Sequence, residues 1–336
     1  MRSGWRAALG VVLSGALIYL TLRGISPAEV ARRLSDADPL LFLGSIVCAT
    51  AIFGLRARRW QTILEPAADP VPLGPLWRAT AIGMMVNNVV PARAGEVARA
   101  YALTKETRVS FPAALASLVV DRLFDAIVLL ILAAVALLDP AFSAGATLAG
   151  RPVSSFALGA LALVAFLVVA LYLLVFFPSR LLRLFGLLAG RISPVVEARS
   201  RRMLETFIAG LSVLRSPGRF AAVFGWTLAH WLLNALGFWL AFRAVGITAP
   251  LSAAFFLQAF IALGTAVPAL PGFFGVFEYM SVQGLAVYGV DQQQAATWAI
   301  GFHILSFIPI TLIGAYYFTR LGMRMSELRA PAEAAA

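Results

Sequence analysis

The chain reads Asn87-Asn88-Val89-Val90-Pro91-Ala92-Arg93-Ala94-Gly95-Glu96-Val97-Ala98-Arg99 directly after the apolar run 79–86. This segment sets two amides, two arginines and a carboxylate beside a proline, a residue that breaks helices. A second segment of this kind reads Gly264-Thr265-Ala266-Val267-Pro268-Ala269-Leu270-Pro271-Gly272-Phe273-Phe274-Gly275-Val276-Phe277-Glu278. In this segment, too, proline and glycine interrupt an apolar run, and a glutamate follows the interruption. We expect the two breaks to face each other across one site.

The rest of the chain has the composition of an all-α, polytopic membrane protein. Of its 336 residues, 61% are hydrophobic and 13% charged, and the mean hydropathy is +0.87. This leaves no room for a separate water-soluble domain, so residues 1–336 are treated as one integral-membrane domain. The net charge of +11 fits cytoplasmic loops on anionic headgroups better than nucleic-acid binding. The single cysteine, Cys48, excludes an intramolecular disulfide.

Six segments are apolar for long enough to cross a hydrocarbon core of about 30 Å. These predicted spans are residues 7–22, 39–55, 111–138, 153–177, 220–245 and 295–318. The first follows a charged start like that of a signal peptide. Because no small-residue cleavage pattern follows it, we expect an uncleaved span, with a cleaved signal as the alternative.

Two further segments are too short or too polar to cross alone, and we predict that each forms a re-entrant hairpin of two half-helices. Hairpin 1 joins residues 76–90 to 94–103, and hairpin 2 joins residues 251–267 to 276–288. Irregular backbone at membrane depth is tolerated only where protein or a watery cavity surrounds it. The predicted hinge residues are Pro91, Gly95, Pro268, Pro271, Gly272 and Gly275.

Arginine placement predicts the orientation of the spans. With both termini in the cytoplasm, the outer loops carry five arginines, and the inner segments carry most of the others, among them Arg56, Arg58 and Arg59 after the second span. Hairpin 1 then enters from the cytoplasm and hairpin 2 from outside. Residues 7–138 and 153–318 would form an inverted repeat, the usual architecture of alternating-access transporters.

The basic link 179–218 is the one long cytoplasmic connection in this topology. Between residues 180 and 191 it sets five leucines and Phe185 beside Arg180, Arg183 and Arg191. This pattern favours a helix lying in the membrane interface, and an ordinary solvated basic loop is the alternative.

Arg93, Glu96 and Arg99 follow the first break. The planar guanidinium of arginine donates two parallel hydrogen bonds to phosphate and keeps its charge. The half-helix that begins near Ala94 adds free N–H groups and a positive dipole end. A phosphate-bearing lipid headgroup is the expected ligand. The alternative is an Arg93–Glu96 ion pair that only holds the hairpin tip together.

Asp121, Arg122 and Asp125 lie inside the span 111–138, about 15 Å past its first residue. Arg122 can reach Asp125 three residues on, and the two aspartates share one helix face. One internal arginine leaves room for a second cation, which Arg93 or a substrate amine could supply. A raised aspartate pKa would make one of the two a proton carrier. The alternative is a cluster that sits at the membrane interface.

Glu278 has few partners nearby in the sequence, so its counterion is expected from elsewhere, from Arg93 or Arg122. Other polar residues in apolar spans are His230, Asn234, Gln258 and His303. Packing is the more common role of a lone buried histidine, and His303 is the stronger functional candidate of the two.

Several absences narrow the class of protein. The chain has no G-x-x-x-x-G-K-[S/T] motif and a single lysine, Lys105, so no P-loop binds ATP. Two histidines 73 residues apart form no zinc motif, and no cofactor is expected. Asp36-Ala37-Asp38 resembles the metal-binding pair of glycosyltransferases, but a turn is the expected structure before Pro39.

At these residues the sequence resembles the lysylphosphatidylglycerol synthase transmembrane-region family, the flippase-like domain of multiple peptide resistance factor proteins. The resemblance rests on Pro91-Ala92-Arg93-Ala94-Gly95-Glu96 with Arg99, on Asp121-Arg122-x-x-Asp125 and on the segment 268–278. It implies a domain that moves aminoacylated phospholipid between leaflets, with relatives in glycolipid, polyprenyl-lipid and hopanoid pathways. The chain lacks that family's soluble aminoacyl-transferase domain, so we do not expect it to make lysyl-lipid. It also carries His303 where the family suggests an arginine.

The sequence thus predicts a lipid translocator in a bacterial or archaeal cytoplasmic membrane, whose movement is passive or ion-coupled. Its partners would be membrane lipids and a lipid-synthesising enzyme. The rival interpretations are a membrane enzyme of polyprenyl or glycosyl lipid metabolism and an accessory scaffold. The predicted headgroup-binding residues are Arg93, Arg99, Asn87, Asn88 and Arg122. The predicted charge-balancing, proton or cation residues are Glu96, Asp121, Asp125, Glu278 and His303.

Overall fold

A computed structural model of the chain describes residues 4–65, 70–90, 94–142, 147–148, 151–152, 216–265 and 269–328, and isolated residues between 159 and 180. The predicted span 153–177 and the predicted interface helix within 179–218 lie almost wholly outside these residues. So do the hinge residues Pro91 and Pro268, together with Arg93.

Ten α-helices make up most of the described residues. They are α1 (Gly4–Leu22), α2 (Pro27–Ser35), α3 (Pro39–Leu64), α4 (Leu73–Val89), α5 (Gly95–Glu106), α6 (Phe111–Leu137), α7 (Pro217–Ala244), α8 (Leu251–Gly264), α9 (Val276–Ala286) and α10 (Gln292–Arg320). Short 3-10 helices occupy Pro271–Phe273 and Met325–Leu328. The strands β1 (Thr147–Leu148) and β2 (Arg151–Pro152) pair antiparallel, with Thr147 opposite Pro152.

The helices begin where the sequence offers a cap. Ser26, Asp38 and Ser110 each accept a backbone N–H from the first turn of α2, α3 and α6, and a proline follows in that turn. Asp38 accepts from the N–H of Leu40 at 2.9 Å, and Asp36 ends α2. The Asp36-Ala37-Asp38 segment is therefore the expected turn between two helices.

Three helices, α3, α7 and α10, are long and apolar enough to cross a membrane. Helices α1 and α2 meet at an angle of 76° and together form one broken candidate. Helix α6 has 27 residues, but its middle holds Asp121, Arg122 and Asp125. The chain is therefore a helical membrane protein with three to four candidate spans in its described part.

Helix α3 extends well past the predicted end of the second span at residue 55. It reaches Leu64, and Arg56 and Arg59 are buried in it with 7% and 0% exposure, whereas Arg58 is exposed. The assignment of these three arginines to an inner loop was wrong for Arg56 and Arg59. The following turns of the helix are amphipathic, and its buried side continues through Trp60 and Ile63.

Both predicted breaks are present. Helices α4 and α5 form hairpin 1: Arg78 near the start of α4 binds Glu106 at the end of α5, with Nε to Oε1 at 2.9 Å. The helices approach at Gly83 and Gly95, where a Cβ on Gly83 would lie 2.8 Å from the Gly95 oxygen. Helices α8 and α9 form hairpin 2, whose connection turns at Gly272 (φ 67°) and Gly275 (φ 87°), conformations that favour glycine.

The two hairpins open at opposite ends of α6. Hairpin 1 ends at Glu106, a few residues before Phe111 begins α6. Hairpin 2 begins at Leu251, and the Ser252 hydroxyl donates to Asp139 just beyond the last residue of α6, at 2.6 Å. We call the open end of each hairpin, opposite its tip, its mouth. A helix of 27 residues is about 40 Å long, a length comparable to the thickness of a membrane, and it separates the two mouths.

The helices pack in a reciprocal pattern around the α3–α7 pair. Helix α4 of hairpin 1 packs on α10, and α8 of hairpin 2 packs on α6. Helix α5 also contacts α6, and α9 contacts α10. Exchanging α3 with α7, α4 with α8, α5 with α9 and α6 with α10 leaves this pattern unchanged.

The described part of the tip of hairpin 2 lies against the last turn of α4. A Cβ on Gly272 would lie 3.3 Å from the Asn88 backbone oxygen, and the Asn88 amide donates to Thr311 of α10 at 2.9 Å. Helix α1 lies along the same tip, since the Leu270 N–H donates to the Ser14 hydroxyl at 2.9 Å.

Candidate functional site

A group of charged side chains joins α3, α5 and α6, and we call it the charge cluster; five of its members are buried, Glu96 is partly exposed and Arg122 is 44% exposed. Its described members are Arg56, Arg59, Glu96, Arg99, Asp121, Arg122 and Asp125. With four arginines and three carboxylates, these residues have a net charge of +1 when all are ionised. Ion pairs away from water stabilise a fold only when the geometry also satisfies their hydrogen bonds.

Arg59 lies at the centre of the cluster. Its Nε is 2.6 Å from Asp121 Oδ1 and its Nη1 is 2.6 Å from Asp125 Oδ1, and the Arg59 and Asp121 side chains are fully buried. Arg59 is thus the second cation that Asp121 and Asp125 required, a role that the sequence suggested for Arg93 or a substrate amine.

Asp125 is fully engaged with protein groups. Besides Arg59, it accepts from the indole of Trp231 at 2.9 Å and from Arg122 Nη1 at 3.2 Å, the contact expected three residues away. Both aspartates are buried among helices, with at most 4% exposure. A carboxylate with this many donors orients the arginines and has little capacity left for a ligand.

Arg99 is only partly satisfied. One Nη donates to Asp121 at 3.1 Å, and the guanidinium lies 4.1 Å from the centre of the Trp60 ring. Its Nε and other Nη are buried without a hydrogen-bond partner among the described residues. Arg56 is similar, because within the same part of the chain its Nε has no partner and its Nη1 reaches the sulfur of Met84 at 3.5 Å.

These unpartnered donors line a narrow cavity. Its walls are Arg56, Thr80, Gly83, Met84, Asn87, Gly95, Glu96, Arg99 and Arg122. The free volume is about 10 Å³, the space that one water molecule needs. Several cationic N–H groups around a small space suit an anion, and a phosphate group would require the walls to move apart.

Two residues of the first break, Asn87 and Glu96, form part of the cavity wall. The Asn87 side chain accepts the Gly95 N–H at 2.9 Å and so satisfies a free donor at the start of α5. Glu96 binds Arg122 with Oε1 to Nη2 at 2.7 Å, while its Oε2 is buried without a partner. The Glu96 carboxylate therefore occupies a place beside Arg122 that an incoming anion could take.

Glu278 forms a second buried site with His303. The carboxylate Oε1 lies 2.5 Å from His303 Nδ1, and Oε2 accepts the Gly275 N–H at 2.6 Å. The His303 Nε2 lies 2.9 Å from the Gly272 carbonyl, and Phe274 stacks on the ring at 4.4 Å. The side-chain partner of Glu278 is thus His303, and the expectation of Arg122 was wrong, because Arg122 binds Glu96 and Asp125.

An apolar pocket of about 190 Å³ adjoins this pair. It lies between α1, α10 and the tip of hairpin 2, and Glu278 is the charged group in its wall. The lining residues are Ile18, Thr21, Leu22, Phe274, Gly275, Glu278, Ile300 and Ile304. Leu22 and Ile304 at its edge are 43% and 46% exposed, so the pocket opens toward the apolar outer surface.

Sequence reasoning missed Arg56 and Arg59. It also missed Trp60, whose ring lies against Arg99, and Trp231, whose indole donates to Asp125. The spacing of Phe53, Arg56, Trp60 and Ile63 on one helix face was the available signal, since it continues the buried stripe of α3. Treating the end of the apolar run as the end of the helix hid that stripe.

The described architecture defines a polytopic α-helical membrane protein with charged groups enclosed between its helices. The chain belongs to the family described as the lysylphosphatidylglycerol synthase TM region, which matches residues 7–314. The resemblance inferred from the motifs is thereby confirmed.

Two proteins that are similar to this chain over nearly their full length come from one archaeon. A UPF0104 membrane protein of Methanothermobacter thermautotrophicus is 26% identical over 336 residues, 95% of each chain. Another of that name and organism is 27% identical over 91% of this chain and 90% of its own. A partial match is glycosyltransferase AglD of Haloferax volcanii, 35% identical over 136 residues, 40% of this chain and 22% of that one.

Proposed function

We propose that this protein is a flippase-like translocator that moves a phosphate-bearing or aminoacylated lipid across the cytoplasmic membrane. The observation that carries the proposal is the pair of incompletely partnered arginines, Arg56 and Arg99, whose free N–H groups line the cavity of the charge cluster. Unpaired buried cationic donors are costly, and an anionic headgroup would satisfy them.

The arrangement of the hairpins supports movement of the site. The hairpins open at opposite ends of α6, the described part of the tip of hairpin 2 lies against the last turn of α4, and the helix contacts are reciprocal. These features support an inverted repeat of residues 7–138 and 153–318, in which one half rocks against the other. The free volume of the cavity, about 10 Å³, holds no more than a water molecule, so binding of a headgroup there requires its walls, hairpin 1 among them, to move apart.

A membrane enzyme or accessory subunit of glycolipid metabolism is the second candidate. The observation in its favour is the partial similarity to a glycosyltransferase. Against it, that similarity covers 22% of the glycosyltransferase, and the Asp38 carboxylate of Asp36-Ala37-Asp38 caps α3. We therefore propose a transport role without a catalytic residue.

Reconstitution into liposomes tests the proposal. Fluorescent NBD-labelled phosphatidylglycerol, its lysyl ester and a labelled polyprenyl phosphate would be offered separately. Dithionite reduces the label only in the outer leaflet, so the fraction of fluorescence lost measures how much lipid has moved between the leaflets. We expect the wild-type chain to equilibrate at least one probe, and the Arg99→Gln variant to do so at least about tenfold more slowly, because a charge-assisted hydrogen bond is lost.

The matched control is Arg58→Gln, which changes an exposed arginine on the same helix as Arg56 and should leave the rate unchanged. Equal rates for wild type and Arg99→Gln would contradict the proposal. Chemical turnover of a labelled lipid without equilibration would favour the enzyme instead.

A further inference from the structure

Both ring nitrogens of His303 face hydrogen-bond acceptors. The Gly272 carbonyl can only accept, and an ionised Glu278 carboxylate can only accept. A neutral imidazole carries a single N–H, so it cannot serve both contacts, at 2.9 Å and 2.5 Å, unless Glu278 is itself protonated. The observed geometry therefore requires one proton more than a neutral histidine and an ionised glutamate supply.

That proton can be shared. An imidazolium beside a carboxylate and a neutral imidazole beside a carboxylic acid contain the same number of protons, and both give a net-neutral pair. If the proton leaves, one lone pair of His303 must face either Glu278 or the Gly272 oxygen at close range. A negative charge also stays behind at a carboxylate that is 8% exposed.

The pair holds the tip of hairpin 2, residues 269–275, to the rest of the protein. His303 of α10 holds the Gly272 carbonyl, and Glu278 holds the Gly275 N–H. The same tip contacts hairpin 1 at Asn88 and α1 at Ser14. Loss of the proton would remove the hydrogen bond of His303 to either the Gly272 carbonyl or Glu278, and so loosen the tip where it lies against α4 and α1.

Other titratable groups do not replace this pair. Around it, the described residues of α1 from Gly10 onward and of α4, α8, α9 and α10 hold Tyr19, Arg78, Tyr279, Tyr316, Tyr317 and Arg320. None of these hydrogen-bonds or forms an ion pair with Glu278 or His303: Arg78 binds Glu106, and Arg320 binds Tyr316. The rings of Phe274, Phe277 and Phe307 surround the imidazole instead.

We propose that Glu278 and His303 form a proton-binding site, and that the bound proton keeps the tip of hairpin 2 docked against α1 and α4. Release of the proton to water undocks the tip beside the apolar pocket. The coupling of this step to lipid movement rests on the proposed function, whereas proton binding and docking do not. His303 lies eleven residues into α10, about 16 Å from its start, near the middle of a bilayer core.

The proton can be observed directly because the chain has two histidines. Nuclear magnetic resonance of the full chain, labelled with ¹⁵N-histidine in lipid nanodiscs, would be recorded between pH 5 and pH 9. The signals that vanish in His303→Gln belong to His303. We expect a far-downfield proton shared between Nδ1 and the carboxylate, absent in Glu278→Gln and lost as the pH rises. A neutral His303 without a shared proton across this range would overturn the proposal.

Docking is measured by hydrogen–deuterium exchange of the wild-type chain, so it does not depend on a variant that folds. The amide of Leu270, which donates to Ser14 of α1, should exchange at least tenfold faster above the pH at which the shared proton is lost, after correction for intrinsic rates. Amides in the middle of α3 are the internal reference. Unchanged exchange at the tip while the proton leaves would refute the docking role.

A third measurement separates this inference from the proposed function. Equilibration of NBD-labelled phosphatidylglycerol should vary with pH in the wild-type chain and lose that dependence in His303→Gln. If the protein moves no lipid but the resonance and exchange results hold, the proton site stands and the transport proposal fails. If lipid moves independently of pH, the coupling is refuted.

Discussion

Arg59 shows how a full charge can be kept inside an otherwise apolar helix bundle. Its guanidinium has no exposed surface, and Asp121 and Asp125 compensate its charge from α6. Removing water from these groups costs several kcal/mol for each ion, and the geometry of the pairs offsets that cost. The arrangement is therefore sensitive to the loss of any one partner.

Replacing Arg59 by glutamine should destabilise the protein strongly, because two buried carboxylates would keep their charge with less compensation. We expect the free energy of unfolding to fall by about 3–5 kcal/mol, as measured by SDS-induced unfolding in mixed micelles. The exposed neighbour Arg58→Gln should change it by less than about 0.5 kcal/mol. A small effect of Arg59→Gln would show that the cluster is not the ion-paired core described above.

Part of the site could be predicted from single residues. Glu96, Asp121 and Asp125 stand out because charge is rare in apolar runs, and the Arg122–Asp125 contact follows from helix spacing. The partner of Glu278 could not be predicted, since His303 is 25 residues away and the contact depends on how α9 packs on α10. Arg93, the residue first expected to bind phosphate, lies outside the described residues, so its role stays a prediction.

At the scale of elements, hairpin 1 depends on a close approach of two backbones. Gly83 on α4 and Gly95 on α5 face each other, and a Cβ on Gly83 would also lie 2.9 Å from the Arg99 Cβ. This proximity brings Arg99 to the cavity wall beside Arg56 and Met84. The lack of a Cβ at Gly83 and Gly95 thus determines where Arg99 lies.

The variant Gly95→Ala should therefore separate α4 from α5. We expect a loss of about 1–3 kcal/mol in unfolding free energy, the usual cost of overpacking, together with slower lipid equilibration. Gly225→Ala in α7 is the matched control, because an added Cβ there meets no atom within 4 Å. If both variants behave like the wild type, the close approach does not position Arg99.

The position of both breaks was predictable to within a few residues, because proline and glycine interrupt apolar runs there. Hairpin 1 was expected at 76–90 and 94–103, and its helices are Leu73–Val89 and Gly95–Glu106. The contact of α4 with α10 was not predictable, since it joins segments more than 200 residues apart through tertiary packing alone.

At the scale of the molecule, α6 fixes how the two hairpins are disposed. The mouth of hairpin 1 lies beside the first residues of α6, and the mouth of hairpin 2 lies beside Asp139, just past the other end of α6. The 3-10 helix Met325–Leu328 lies near the end of α5, since Lys105 Nζ is 3.6 Å from Glu327. The chain end beyond α10 therefore shares a side with hairpin 1.

Thiol labelling tests this disposition and the predicted orientation. In a Cys48→Ala background, cysteines at the exposed positions of Arg108 and Arg324 should react with an impermeant maleimide only from the cytoplasm. Cysteines at the exposed positions of Arg32 and Ala286 should react only from outside. Labelling of all four from one side would exclude both the inverted repeat and the cytoplasmic termini.

The distance along the chain between Arg59 and its aspartates also has a consequence for biosynthesis. Asp121 follows Arg59 by 62 residues, which a ribosome needs roughly 3–12 s to add at about 5–20 residues per second. During that interval the nascent α3 carries three guanidinium groups, and the two carboxylates that pair with Arg59 have not yet been made. The arginine-bearing end of α3 must then wait at the aqueous boundary or inside the translocon, and membrane integration of the first half is complete only after α6 emerges.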